Sequence, residues 1–169
     1  MSVIGLREML CDIYAHHRRG LFALAMAIVR DSPGAEDAVH DAFARLLASG
    51  ARPSGDPVAY VFAVVRNAAR DQLRMRPVAL KMQATQSLFG LPQRGPEGEA
   101  QLAEERQIIC RAVDDLGDED RQVIVMKIYG GLTFDQIATA CSQPLATVAS
   151  RYRRALEKLR QALPADQLG

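Results

Sequence analysis

The stretch Asp135–Arg160, DQIATACSQPLATVASRYRRALEKLR, reads as a helix, a break at Ser142-Gln143-Pro144, and a second helix. Phe134, Ile137, Ala138 and Cys141 fall at i, i+3, i+4 and i+7, the spacing of one apolar helix face. Thr133, with Gln136 three residues on, opens that helix as a capping box. After Pro144, Leu145, Val148, Tyr152, Ala155 or Leu156, and Leu159 line one side of the next helix. The other side carries Thr147, Ser150, Arg151, Arg153, Arg154, Lys158 and Arg160 against a single acid, Glu157. Two short helices joined by a tight turn fit a helix-turn-helix. The apolar stripe faces a core, while the basic face suits phosphates and short hydroxyls near the helix start reach base edges.

The surrounding 169 residues suit an all-α chain, long enough for one ordinary domain or two small ones. Ala, Leu, Arg, Glu and Gln abound, which favours helix. Alternating Val/Ile/Thr runs of the kind that make sheet are missing. The net charge of +1 is unevenly spread. Residues 97–120 hold two Arg against nine Asp/Glu, and residues 121–169 hold seven Lys/Arg against three Asp/Glu. An acidic middle and a basic end point to a polyanion partner at the C-terminal end. Cys11, Cys110 and Cys141 are far apart and odd in number, so the reading is reduced, structural thiols with neither a zinc site nor a disulfide framework. The longest apolar run, Gly20–Val29, is about half of what a membrane span needs. It reads as a helix buried in a bundle, so no membrane insertion is expected.

Four helical segments are expected in the first half. Val3–Arg18 and Gly20–Val29 come first. Ser32 is the candidate cap of the third, with Pro33 at its first position and Val39, Phe43, Leu46 and Leu47 inward. Asp56 caps the fourth, which buries Val58, Val61, Phe62, Val65 and Leu73 and shows Arg66, Asn67, Arg70 and Arg74 on its outer face. Residues 77–103 cluster Pro, Gly, Gln and Ser and read as a flexible connector with a short helix near Val78–Gln86. The second half opens with a helix at Ala103–Leu116. Asp118 is the expected cap of the next, whose core face is Val123, Ile124, Met126 and Ile128, ended by Gly130-Gly131. Three units follow: a helical domain over 1–76, the connector over 77–103, and a helix-turn-helix domain over 104–169. No nucleophile-base-orienter set and no phosphate-binding glycine loop occurs, so the sequence offers no enzyme and calls for no cofactor or metal.

Four stretches, RDSPGAEDAVHDAFARLL, DPVAYVFAVVRNAARDQLR, LGDEDRQVIVMKIYGGLTFDQIA and PLATVASRYRRALEKLRQAL, together resemble a bacterial RNA polymerase sigma factor of the two-domain extracytoplasmic-function type. The resemblance implies a transcription initiation factor that binds core RNA polymerase and directs it to promoters, silenced by an anti-sigma factor, in the cytoplasm. It implies that Asp37, His40 and Asp41, with Leu46 and Leu47, dock on the polymerase. It implies that the helix after Asp56, through Arg66, Asn67, Arg70 and Arg74, holds the unwound −10 strand. Thr147, Ser150, Arg151, Arg153 and Arg154 would read the −35 duplex. Some positions differ from the family pattern: Ala149 replaces a frequent lysine, Ser142-Gln143-Pro144 a frequent Gly-Ile-Pro, and Tyr60 a frequent Trp. These thinned basic clusters motivate an alternative, a sigma-like adaptor or decoy that binds a regulatory protein rather than DNA.

Overall fold

The computed structural model describes residues 3–77 and 100–163. Seven helices follow one another among them: α1 Val3–Val29, α2 Ser32–Ser49, α3 Pro57–Met75, α4 Ala100–Asp114, α5 Asp118–Ile128, α6 Phe134–Cys141 and α7 Leu145–Ala162. The expected short helix near Val78–Gln86 lies outside the described residues.

Helices α1, α2 and α3 pack on one another into a first lobe, and α4 to α7 form a second. The expected break between Val3–Arg18 and Gly20–Val29 is absent, since α1 runs unbroken for 27 residues. Glycine inside a helix costs about 1 kcal/mol relative to alanine, but α1 is buried from Leu21 to Val29 apart from the half-buried Phe22, and that packing outweighs the local preference. Asp31, not Ser32, caps α2: it is extended and its Oδ1 accepts from the Gly34 amide at 2.7 Å. Its other oxygen pairs with Arg76 at the end of α3. Asp56 caps α3 as expected, accepting from Ala59 N at 2.9 Å, though Val58 and Leu73 are only half-buried.

The second lobe departs further from the reading. Helix α4 begins at Ala100 and ends at Asp114. Gly117 stands at the cap of α5 without a side-chain bond, so Asp118 does not cap it; Asp118 lies within the first turn, 2.9 Å from Arg121. The expected core face of α5 is also too narrow. Every residue from Asp120 to Met126 is buried, whereas Ile128 is 56% exposed. The physical reason is position: α5 has α7 on one side and α1 of the first lobe on the other, so no flank of its stretch Asp120–Met126 meets water. The two lobes therefore share one continuous apolar core that includes Leu24, Phe62, Val65, Ile124, Met126 and Val148.

Burying α5 on all sides forces its polar residues to find partners inside the protein. Arg121 does so with five donations. Its Nε donates to Val113 O, its Nη2 to Asp114 O and Leu116 O at 2.8 and 2.7 Å, and its Nη1 to Asp118 and to Ala27 O of α1. One guanidinium thus satisfies the open carbonyls at the end of α4 and touches the first lobe. Burial, with Arg30 nearby, lowers its pKa, and Asp118 and Asp114 oppose that shift. An Arg121→Met variant leaves several buried carbonyls unpaired. We expect a loss of about 3 kcal/mol or more, read as a fall of about 1–2 M in the urea midpoint followed by far-UV circular dichroism.

Candidate polymerase and nucleic-acid interfaces

The helix-turn-helix forms as the sequence predicts. Thr133 Oγ1 accepts from Gln136 N at 3.2 Å and Gln136 Oε1 accepts from Thr133 N at 2.9 Å, the two halves of a capping box. Helix α6 then ends on Ser142 in the left-handed region, φ 53°. The amides of Ser142 and Gln143 return to Thr139 O and Ala138 O, closing the turn. Serine adopts there, at some backbone cost, the conformation that glycine takes freely. Pro144 caps α7 and presets its entry. Val148 and Ala155 are buried and Tyr152, Leu156 and Leu159 half-buried, while Leu145 is 47% exposed and outside the expected core stripe. Phe134 and Tyr152 meet edge to face at 5.3 Å, joining the two helices.

Around α7, Thr147, Arg151, Arg154 and Lys158 share one flank at i, i+4, i+7 and i+11. Ser150, Arg153, Arg154, Lys158 and Arg160 are exposed, and Thr147 and Arg151 half-buried. Among the described residues, Arg153 reaches Ser150 Oγ at 3.5 Å. Arg151 and Arg154 are tied back to Asp120 of α5 at 3.4 and 3.5 Å. Asp120 itself is buried, so these two arginines neutralise an interior carboxylate as well as facing outward. Sequence reasoning missed this, because nothing in the periodicity of α7 reveals a carboxylate on another helix.

The arginines of α3 do not form one open face. Asn67, Arg70 and Arg74 are exposed as expected, and Arg74 pairs with Asp71 at 2.9 Å. Arg66, expected outside, is 5% exposed. Its Nε donates to Gln122 Oε1 at 2.7 Å, and its Nη2 lies 3.6 Å from Glu119. Both partners belong to α5, so the first lobe inserts a cation into the second. Helical spacing placed Arg66 on the polar side of α3, but that side faces another lobe instead of water. Burial raises the pKa of Cys141 at the end of α6, and the Arg66 charge is the first effect to offset it. Cys110 is pushed to about 12 by burial and by Asp114. Both thiols are buried, whereas Cys11 is exposed and so is not part of the core.

On α2, Asp37 and His40 are exposed and Asp41 half-buried, paired with Arg45 at 2.7 Å. His40 borders an open cleft of about 460 Å³ shared with Tyr14, Arg18, Arg19 and Glu36 of the α1–α2 face. Leu47, expected on the inner stripe, is instead half exposed, whereas Leu46, expected both inward and in the docking face, is buried at 3%. Leu46 belongs to the core because it follows Val39 and Ala42 on the inner stripe. Among the described residues no cluster of metal-ligating side chains occurs, and no helix is long and apolar enough to cross a membrane.

The Asp56 cap joins the two lobes. Its Oδ1 accepts from Ala59 N, and its Oδ2 accepts from Gln136 Nε2 at 3.0 Å across the lobes. The amide bond chiefly lowers its pKa, with Gln136 assisting against partial burial. A folded carboxylate with a lowered pKa stabilises above the unfolded value and loses that contribution as pH falls through the folded value. We therefore expect wild type to exceed Asp56→Ala by about 1 kcal/mol at pH 7. The gap should shrink below pH ~3.9, as measured by urea melts of both proteins across pH 2.5–7.

Family comparisons agree with this architecture. Residues 13–76 match the family model described as Sigma-70 region 2, and residues 106–159 match Sigma-70, region 4. The ECF RNA polymerase sigma factor SigK of Mycobacterium ulcerans is 24% identical over 96% of this chain and 89% of its own length. The SigK protein of Mycolicibacterium vanbaalenii is 26% identical over 92% and 82%. The same fold occurs in the sigma factor RpoE of Bartonella quintana, solved with the anti-sigma factor NepR, at TM-score 0.67 and 23% identity over 95% of this chain and 96% of that one. It occurs again in CnrH, solved with the cytosolic domain of CnrY, at TM-score 0.66 and 22% identity over 97% and 93%. With region 2 followed by region 4 along most of its length, the chain belongs to the sigma-70 family, as a sigma factor of the ECF type.

Proposed function

We propose that the chain is a transcription initiation factor that binds core RNA polymerase and positions it at a subset of promoters by contacting both promoter elements. The observation that carries this is the succession of a region 2 lobe and a region 4 lobe, the latter ending in a helix-turn-helix with an outward basic face. The factor does no chemistry of its own, and its work on polymerase and promoter places it in the cytoplasm. An anti-sigma factor is its expected regulator, a reading supported by the structural neighbour solved with the anti-sigma factor NepR.

Within this reading the domains divide at 1–76, 77–103 and 104–169. Asp37, His40, Asp41 and Leu47 form the polymerase-docking face of α2, with Leu46 supporting it from the core. Asn67, Arg70 and Arg74 offer an exposed edge of α3 to the −10 strand, joined by Arg66 once it is freed from α5. Thr147, Ser150, Arg151, Arg153 and Arg154 read the −35 duplex. The rival decoy reading draws on the occupied state of Arg66, Arg151 and Arg154.

Transcription of a genomic fragment library by purified core polymerase plus this chain, with start sites mapped, tests the proposal. Discrete starts dependent on the chain are expected; none, despite holoenzyme assembly, would favour the decoy. Two variants should separate the surfaces. Asp37→Lys should abolish co-elution with core. Arg153→Ala should leave co-elution intact, weaken promoter binding and flatten its log–log salt dependence by about one unit. Arg153 is the better probe than Arg151 or Arg154, whose removal strands the buried Asp120.

A further inference from the structure

Asp120 stands in the first turn of α5, where the helix dipole favours a carboxylate. It is 6% exposed, yet each of its oxygens meets a different arginine of α7. Oδ1 lies 3.4 Å from Arg151 Nη1, and Oδ2 lies 3.5 Å from Arg154 Nε. The two arginines are not equivalent. Arg151 is half-buried, and its own Nε is buried without a partner among the described residues. The Arg154 side chain is 56% exposed. Asp120 meets it at Nε, the inner end of the guanidinium, so Nη1 and Nη2 remain to donate to a ligand.

An untethered arginine on a helix surface serves any phosphate within reach, and phosphate contacts carry no sequence information. A guanidinium held in one orientation can instead present two parallel donors to one base edge. That pairing, with guanine O6 and N7, is the commonest specific contact in the major groove. Swinging Arg151 and Arg154 away to phosphates would leave Asp120 as an unpaired interior charge. The carboxylate therefore penalises the phosphate-bound arrangement and spares the one in which both arginines stay beside it. Arg153, Lys158 and Arg160 are exposed and lie outside this pairing, so they are the cations free to follow the backbone.

We propose that Asp120 is a specificity-determining residue of the helix-turn-helix: it withholds Arg151 and Arg154 from phosphates and sets the Arg154 fork toward a guanine of the −35 duplex. This rests on the promoter-directing reading above. Asp120 touches no DNA itself; it is a positioning residue that acts through its arginines. Their pairing with protein is then a device for discrimination, and not the loss of two DNA contacts.

Asp120→Asn keeps the shape of the side chain and removes its charge. Fluorescence anisotropy of the full chain with a fluorescein-labelled, mixed-sequence duplex reads the phosphate contacts. The variant should bind at least about fivefold more tightly than wild type at low salt, with a log–log salt slope steeper by about one to two units. Holoenzyme on a promoter fragment from the mapped starts, and on that fragment with its −35 region scrambled, reads discrimination. The ratio of the two affinities should fall at least about fivefold in the variant. Arg154→Ala should lower that ratio as much, and adding Asp120→Asn to it should change the ratio by less than about twofold, whereas a purely structural residue would give independent losses. Should Asp120→Asn lose helix by circular dichroism, Arg154→Lys carries the test: it keeps the charge and should keep the wild-type salt slope while losing discrimination. An unchanged slope in Asp120→Asn, discrimination retained by either variant, or independent losses in the double variant would each overturn the proposal. A steeper slope with no mapped starts would sink the initiation role and leave the hold of Asp120 on its arginines standing, since the mixed duplex needs no promoter.

Discussion

Helix α5 is the wall that both lobes share, and the burial of its stretch Asp120–Met126 on every side is the constraint from which the rest of the molecule follows. A short helix without a wet flank must pair each polar group internally. Asp120 is met by Arg151 and Arg154, Arg121 by backbone carbonyls, and Gln122 by Arg66. Each of those solutions commits a residue elsewhere. Helix α7 is anchored through Asp120, the end of α4 through Arg121, and the first lobe through Gln122.

This gives the cations of the molecule two different standings. Arg153, Lys158 and Arg160 stand in water on α7, and Arg70 and Arg74 stand in water on α3; all are available to a polyanion, and Arg74 only has to leave a surface pair with Asp71. Arg66, Arg151 and Arg154 already answer protein carboxylates or amides. A buried carboxylate such as Asp120 holds its partners more firmly than a surface acid does, because leaving it alone would expose the full cost of an unpaired interior charge. The basic surface open to a polyanion is therefore set as much by the acidic start of α5 as by the arginines themselves.

Glycine has an analogous double role. In α1 it is a poor helix former tolerated for what its missing side chain permits, the contact of one backbone with another. Gly131, at φ 64°, ends the segment after α5 for the conventional reason that its backbone is left-handed. Similar residues near each other thus serve packing in one case and a turn in the other, and only the neighbours tell which.

Much of the fold was legible in the chain. The capping box at Thr133, the cap at Asp56, the proline entry to α7 and the 3.6-residue stripes of α2, α3, α6 and α7 are local signals whose causes lie within a few residues. The two-lobe order and the basic face of α7 followed from them. The errors share one origin. Ser32 yielded its cap to Asp31, which also had Arg76 to bind. Gly20 broke nothing because packing sustained α1. Leu47, read as inward, stands half exposed, Leu145 turned outward, and Arg66 went from an apparent outer face into a seam. Periodicity states which side of a helix is polar, but a polar side meets water only if no other part of the chain covers it. Local sequence determined where helices begin, end and turn their apolar sides; the tertiary structure decided which polar sides stay wet, because that depends on contacts between residues more than fifty positions apart, such as Arg66 and Gln122.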